Sequence, residues 1–205
     1  MILLDVREVR VMNQINAERY LYNFVKNEQD ELSIFNFEQW VYEHDELEDI
    51  FGKKEYLELI SRDYKDKFAY HETEKQIRRL VHFGLFEQER ITNILNDLLT
   101  NEDKSEQLET LEILYEEYCS GYNFLRYITL SYILTSDEHK EIIKVNQSKF
   151  ESYIEGIKKE AVRLLGFLRR NEILINEEYE YTDYRAEKDQ IELHSINEML
   201  GANGT

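Results

Sequence analysis

LETLEILYEEYCSGYNFLRYITLSYIL, residues 108–134, is the stretch that decides the fold. Leu108, Leu111, Leu114, Tyr115 and Tyr118 recur at steps of three and four, which is one stripe of an α-helix. Ser120-Gly121 breaks the pattern. From Tyr122 to Leu134 nearly every residue is apolar or aromatic, and only Asn123, Arg126, Thr129 and Ser131 interrupt. A helix apolar almost all round has to be covered on most sides. Tyr122–Leu134 is therefore expected to be the central helix of an all-α, multi-helix bundle.

The flanking chain supplies the covering helices. Towards the C-terminus, 147–170 carries Phe150, Ile154, Ile157, Ala161, Leu164, Leu165 and Leu168 on one side. Gly156 and Gly166 lie inside it, at a cost of about 1 kcal/mol each relative to alanine, and are read as places where another helix comes close. In 171–184, Ile173, Ile175, Tyr179 and Tyr181 alternate as strand residues do, so this piece is expected to be extended. A last helix is expected over 187–200, with Ile191, Ile196 and Leu200 inward, before the frayed tail GANGT. Thr135–His139 reads as the end of the central hairpin.

Towards the N-terminus, helices are expected over 14–28 (Ile15, Tyr20, Leu21 and Phe24 inward, Asn16 capping) and over two short pieces within 33–51. Asn36 with Gln39, and Asp45 with Glu48, read as their capping pairs, and Gly52 as a left-handed stop. Trp40, the only tryptophan, is expected to pin this region with Phe37 and Val41. Lys54–Tyr64 should bury Tyr56, Leu57, Ile60 and Tyr64. Helices at 72–83 (Ile77, Leu80, Val81) and 86–99 (Ile91, Ile94, Leu95, Leu98) are expected to be separated at Gly84. The 205 residues make one helical domain, with sub-lobes at 1–68 and 69–205 if it divides. Such a join would fall at Lys65–Glu72 or Thr100–Ser105.

Composition narrows the function. There is no proline and there are only seven glycines, as an all-helical chain requires. The single cysteine, Cys119, excludes an intrachain disulfide and suits a reducing cytoplasm. The start, MILLDVREVRVM, reaches Asp5, Arg7 and Glu8 too soon for a signal peptide, and Met12 is an alternative start. No run approaches the roughly 20 apolar residues of a membrane span. Forty-three acidic residues face 25 basic ones, for a net charge of −18. The excess is spread along the chain and is not a tail. Such a field repels nucleic acid and anionic membrane and attracts basic partners.

Catalytic signatures are absent from the sequence: it has no GxGxxG, GxxxxGK[ST], CxxC, HExxH or Glu-x-x-His. The five histidines, His44, His71, His82, His139 and His194, share no ligand spacing, so no metal and no cofactor are expected. Arg78 and His82 lie four apart, but the charge of the chain argues against an RNA substrate. Cys119, beside Glu116 and Glu117, lacks the positive surroundings of a nucleophile and reads as a buried small residue. The acidic groups are more ordered. Glu106, Glu109, Glu112 and Glu116 run down one face. Asp45, Glu46, Glu48 and Asp49 cluster at a helix start. Glu177, Glu178, Glu180 and Asp183 alternate with Tyr179, Tyr181 and Tyr184, a mixture suited to meeting a basic protein.

Two segments carry a resemblance. FEQWVYEHDELEDIFGKKEYLELISRDYK (37–65) is similar, through Phe37, Glu38, Trp40, Leu47, Glu48, Tyr56, Leu57, Leu59 and Ile60, to small bacterial proteins encoded beside secreted polymorphic toxins. LYEEYCSGYNFLRYITLSYI (114–133) resembles a core segment of small helical bacterial proteins. The resemblance implies an immunity-type protein and carries no catalytic role. The expectation is a cytoplasmic, non-enzymatic binder of a basic toxin or effector. Its contact residues are expected to be Glu177, Glu178, Tyr179, Tyr181, Asp183 and Tyr184, then Asp45, Glu46, Glu48 and Asp49. A helical scaffold or self-associating protein is the alternative, and an enzyme whose carboxylates only the fold brings together is the third reading.

Overall fold

The computed structural model describes residues 13–26, 31–133 and 146–190. The fold is all-α, with one two-stranded hairpin in addition to the helices. The chain divides into two compact units, 1–83 and 84–205, so the boundary falls between the two joins expected.

The first unit contains α1 (Gln14–Lys26), α2 (Glu31–Glu43), α3 (Leu47–Phe51), α4 (Lys53–Ile60) and α5 (Ala69–Leu80). α1 packs on α5, and α4 on α2 and α3. Leu21, Phe37, Val41, Leu47, Leu59 and Ile77 are wholly buried, each contributing about 1.5–3 kcal/mol by leaving water. Trp40 pins the unit as expected, with Tyr20 stacked on it at 3.9 Å between ring centres and Phe37 at 6.0 Å.

Several local expectations are corrected here. Asn13, not Asn16, caps α1, its Oδ1 accepting from the Asn16 amide at 2.9 Å. The helix thus begins early enough to leave Ile15 exposed, while Ala17, Tyr22 and Val25 turn inward. Asn36 lies inside α2 and caps nothing, because that helix already starts at Glu31. α3 begins at Leu47, with Glu46 before it in helical geometry and no side-chain cap, so Asp45 does not cap either. Gly52 does stop α3 at positive φ, +90°, but its ψ is extended and it opens α4 directly. α4 then ends at Ile60, which leaves Leu57 exposed and puts Leu59 in the core. Tyr64 lies beyond the helix and is buried.

The second unit contains α6 (Phe83–Thr100, of which Phe83 closes the first unit), α7 (Lys104–Cys119), α8 (Arg126–Ile133), α9 (Gln147–Arg169), β1 (Ile173–Ile175) and β2 (Tyr181–Asp183). The central segment is buried as expected, but its α-helix starts only at Arg126, after a 3-10 turn at Asn123–Leu125; Leu125, Ile128 and Thr129 are fully buried. α7 and α9 both pack on α8. α7 opens on an Asp103 cap, whose Oδ1 accepts from Ser105 N at 2.8 Å and Glu106 N at 3.2 Å. Asn146 caps α9 in the same way through Lys149 N, at 3.0 Å. All seven residues expected to face inward from α9 are buried.

From the start of α6 onward three expectations change and one holds. The break before α6 falls at Val81, which is extended, and Gly84 lies within the first turn of α6. Cys119 is exposed, because it is the last residue of α7 and lies off the Gln107–Thr110–Leu111–Leu114 face that is buried. Gly156 does face a neighbouring helix, 3.5 Å from a built Cβ to Tyr127 Oη. Gly166 meets only Arg170 of its own segment. The turn at Thr135–His139 and all but the start of the final helix lie outside the described residues. That start is a 3-10 turn, Glu187–Asp189.

Candidate functional site

The tyrosine- and carboxylate-rich stretch forms the β1–β2 hairpin, antiparallel with Ile173 opposite Asp183 and Ile175 opposite Tyr181. Asn171 turns the chain out of α9 at φ +58°, a conformation asparagine tolerates. β1 buries Ile173 and Ile175 and turns Leu174 outward. The tip, 176–180, is tied by the Asn176 side chain. Its Oδ1 accepts from Glu178 N at 3.0 Å and Glu180 N at 2.9 Å, and Tyr179 takes φ +62°.

α6 holds this hairpin by two hydrogen bonds, and Gln88 also ties α6 to α9. Gln88 accepts from Ile175 N at 3.4 Å. It also donates to the Leu168 carbonyl at 3.4 Å. Gly84 N donates to Glu177 Oε2 at 3.2 Å, a carboxylate at a helix start where negative charge is favoured. A Cβ at Gly84 would run into the Ile175 carbonyl oxygen and come within 2.9 Å of the Asn176 carbonyl carbon, so only glycine permits this approach.

The expected contact residues separate accordingly. Glu178 and Glu180 are exposed at the tip, Glu177 is exposed but tied to Gly84, and Tyr184 is 64% exposed. Tyr179 is half-buried. Tyr181 is half-buried and packs edge-on against Phe124 at 5.1 Å. Asp183 is taken up by a two-pronged pair with Arg185, at 2.9 and 2.7 Å, and its carboxyl lies below the usual range because that pairing outweighs the effect of burial.

In the first unit, Asp45 and Asp49 are exposed and Glu46 and Glu48 half-buried. The Tyr56 phenol beside them is pushed up, by desolvation first and then by Asp45, Glu48 and Glu46. On α7, Glu106, Glu109, Glu112 and Glu116 are all exposed, and Lys104 is the only base in that helix. Glu112 accepts from Tyr132 Oη at 2.8 Å.

Two interior features have no counterpart among the sequence expectations. Glu87, fully buried, binds Arg90 at 2.5 and 3.1 Å, and Arg90 binds Glu117 at 2.5 and 2.7 Å. Tyr122 Oη donates to Glu87 at 2.9 Å. Burial disfavours a charged Arg90, but the hydrogen bonds to Glu117 and Glu87 outweigh it. Burial, then Glu87, pushes the Tyr122 phenol far up. The sequence signal was Glu87-x-x-Arg90, an acid–base pair one turn apart beside an apolar stripe. The second feature is Phe167, with the guanidiniums of Arg163, Arg170 and Arg185 at 4.9–5.4 Å from its ring centre. Next to it, a polar hollow of about 230 Å3 is walled by Arg126, Glu160, Asp183 and Arg185. Glu160 is paired with Arg163 and Asp183 with Arg185. Among the described residues no three His, Cys, Asp or Glu side chains gather as metal ligands would.

Fold and surface together define an all-α protein whose exposed carboxylates include those on the tip of a hairpin braced by α6. No protein family, curated protein or solved structure matches the chain. Among the described residues no helix is long and apolar enough to cross a membrane.

Proposed function

We propose that this chain is a non-enzymatic, cytoplasmic binding protein of the immunity type, which docks a basic toxin or effector and covers its active site. The observation that carries the reading is the hairpin tip. Glu178 and Glu180 are exposed on a turn tied by Asn176 and set against α6. A turn ordered before binding loses less conformational entropy on docking than a loose loop. Carboxylates on it steer a basic partner and raise its association rate. The similarity of 37–65 to proteins encoded beside secreted toxins supplies the class of partner.

The test is co-purification with the protein encoded next to this one, followed by affinity measurements at two salt concentrations. A complex is expected, with affinity falling as salt rises from about 50 to 300 mM, because exposed charges are screened. Glu178→Lys with Glu180→Lys should weaken it by about tenfold or more through like-charge repulsion. Absence of a complex, or an affinity indifferent to both salt and the double substitution, would overturn the reading.

A further inference from the structure

The first unit holds a cavity of about 730 Å3 between α2, the loop 61–68 and α5. That lies inside the roughly 300–1,000 Å3 typical of small-molecule sites. Tyr64 and Ala69 are buried at it, and the Tyr64 hydroxyl donates to the Leu59 carbonyl at 2.9 Å, so this part is fixed in advance. Phe35 of α2 and Tyr70 of α5 supply aromatic wall, and Phe35 is 54% exposed. Tyr70 is braced from behind by Phe24, at 5.4 Å between ring centres.

Four charged side chains line the cavity besides His71: Glu38, Lys65, Asp66 and Lys67. Two are already engaged. Asp66 accepts from the Phe68 amide at 2.7 Å, and Lys67 lies over the Phe68 ring at 4.6 Å. Glu38 and Lys65 belong to no ion pair among the described residues, with each other or with anything else. An aromatic wall flanked by one unpaired carboxylate and one unpaired ammonium is complementary to an aromatic ring bearing both charges.

We propose that this cavity binds a free aromatic amino acid, its ring against Phe35 and Tyr70, its carboxylate on Lys65 and its ammonium on Glu38. The net charge of the chain favours such a ligand over a simple anion. A field of −18 repels an anion on approach, whereas a zwitterion carries no net charge for it to repel. The site lies wholly within the first unit and is independent of the hairpin and its partner.

The test is titration of the full chain with L-phenylalanine, by calorimetry and by NMR shifts. 3-Phenylpropionate, which lacks the ammonium, and phenethylamine, which lacks the carboxylate, are titrated in parallel. Saturable binding of phenylalanine is expected, with each analogue weaker by about threefold to fivefold for the loss of one ion pair at the cavity mouth. Lys65→Gln should erase the preference over phenethylamine and keep that over 3-phenylpropionate, and Glu38→Gln should do the reverse. Phe35→Ala, a change at an exposed position, should weaken all three ligands. No saturable binding of phenylalanine, or preferences that neither charge substitution alters, would overturn the assignment.

Discussion

Glu87 shows how one residue can tie several elements together. Its carboxylate joins Arg90 of its own helix to Tyr122 at the head of the central segment, and Arg90 reaches on to Glu117 of α7. Removing Glu87 leaves Arg90 its two bonds to Glu117 but takes the acceptor from the buried Tyr122 hydroxyl. Glu87→Ala should therefore cost about 2–3 kcal/mol. Tyr122→Phe leaves Glu87 both bonds to Arg90 and should cost only about 1–1.5 kcal/mol. Urea unfolding of the two variants measures this, and equal costs would show that the cluster does not act as described. Gly84 sets two effects against each other. Alanine within a helix gains about 1 kcal/mol over glycine. Here, however, the added methyl meets the backbone at Ile175 and Asn176, which cannot rotate away. Overpacking of that kind costs about 1–3 kcal/mol. Gly84→Ala is expected to destabilise, and to weaken partner binding by shifting the hairpin. A more stable variant with unchanged affinity would refute the close approach.

At the scale of the element, side-chain caps fix the starts of α1, α7 and α9, while α3, α4 and α5 begin without one. Asp103 accepts two amides at the start of α7, while Asp45, similar in local sequence, caps nothing. Asp103→Ala should cost about 1 kcal/mol and lower Tm by roughly 2–4 °C for a chain of this size. Asp45→Ala should leave Tm within about 1 °C, as exposed uncapping positions do. Thermal unfolding of the pair tests the assignment, and the reverse ranking would contradict it. The hairpin shows the same dependence on context. Two three-residue strands are marginal alone, and the contacts with Gln88 and Gly84 of α6 set them in place.

For the whole molecule, the buried tyrosines set the alkaline limit of stability. Burial raises Tyr64 and Tyr122 well above the ordinary value near 10, and burial with the Glu112 hydrogen bond raises Tyr132 to about 12. Above pH 10 the unfolded chain releases protons that the folded chain still holds, so stability falls as pH rises. This contribution is present in full below about pH 10 and is lost progressively above it, up to about pH 12 for Tyr132 and at still higher pH for Tyr64 and Tyr122. Titration of the phenolate absorbance should show the exposed tyrosines ionising first and the buried ones only together with unfolding. A single smooth transition near 10 with the fold intact would contradict it. The net charge of −18 acts on the same balance through self-repulsion, so moderate salt should raise Tm.

The sequence by itself determined the all-α class, the burial of Tyr122, Leu125, Ile128 and Tyr132, the inward face of α9 and the extended character of Ile173–Ile175 and Tyr181. Each is written in the spacing of apolar residues, which local geometry converts directly into a face. The tertiary structure alone decided that Asp183 turns to Arg185, that Cys119 emerges into solvent, and that Gly84 marks a contact and not a break. It alone joined Arg90 to Glu117 and set Glu38 and Lys65 around one cavity. Periodicity tells a residue which way to face, but not which distant chain segment comes to meet it, and the charges and close approaches depend on that meeting.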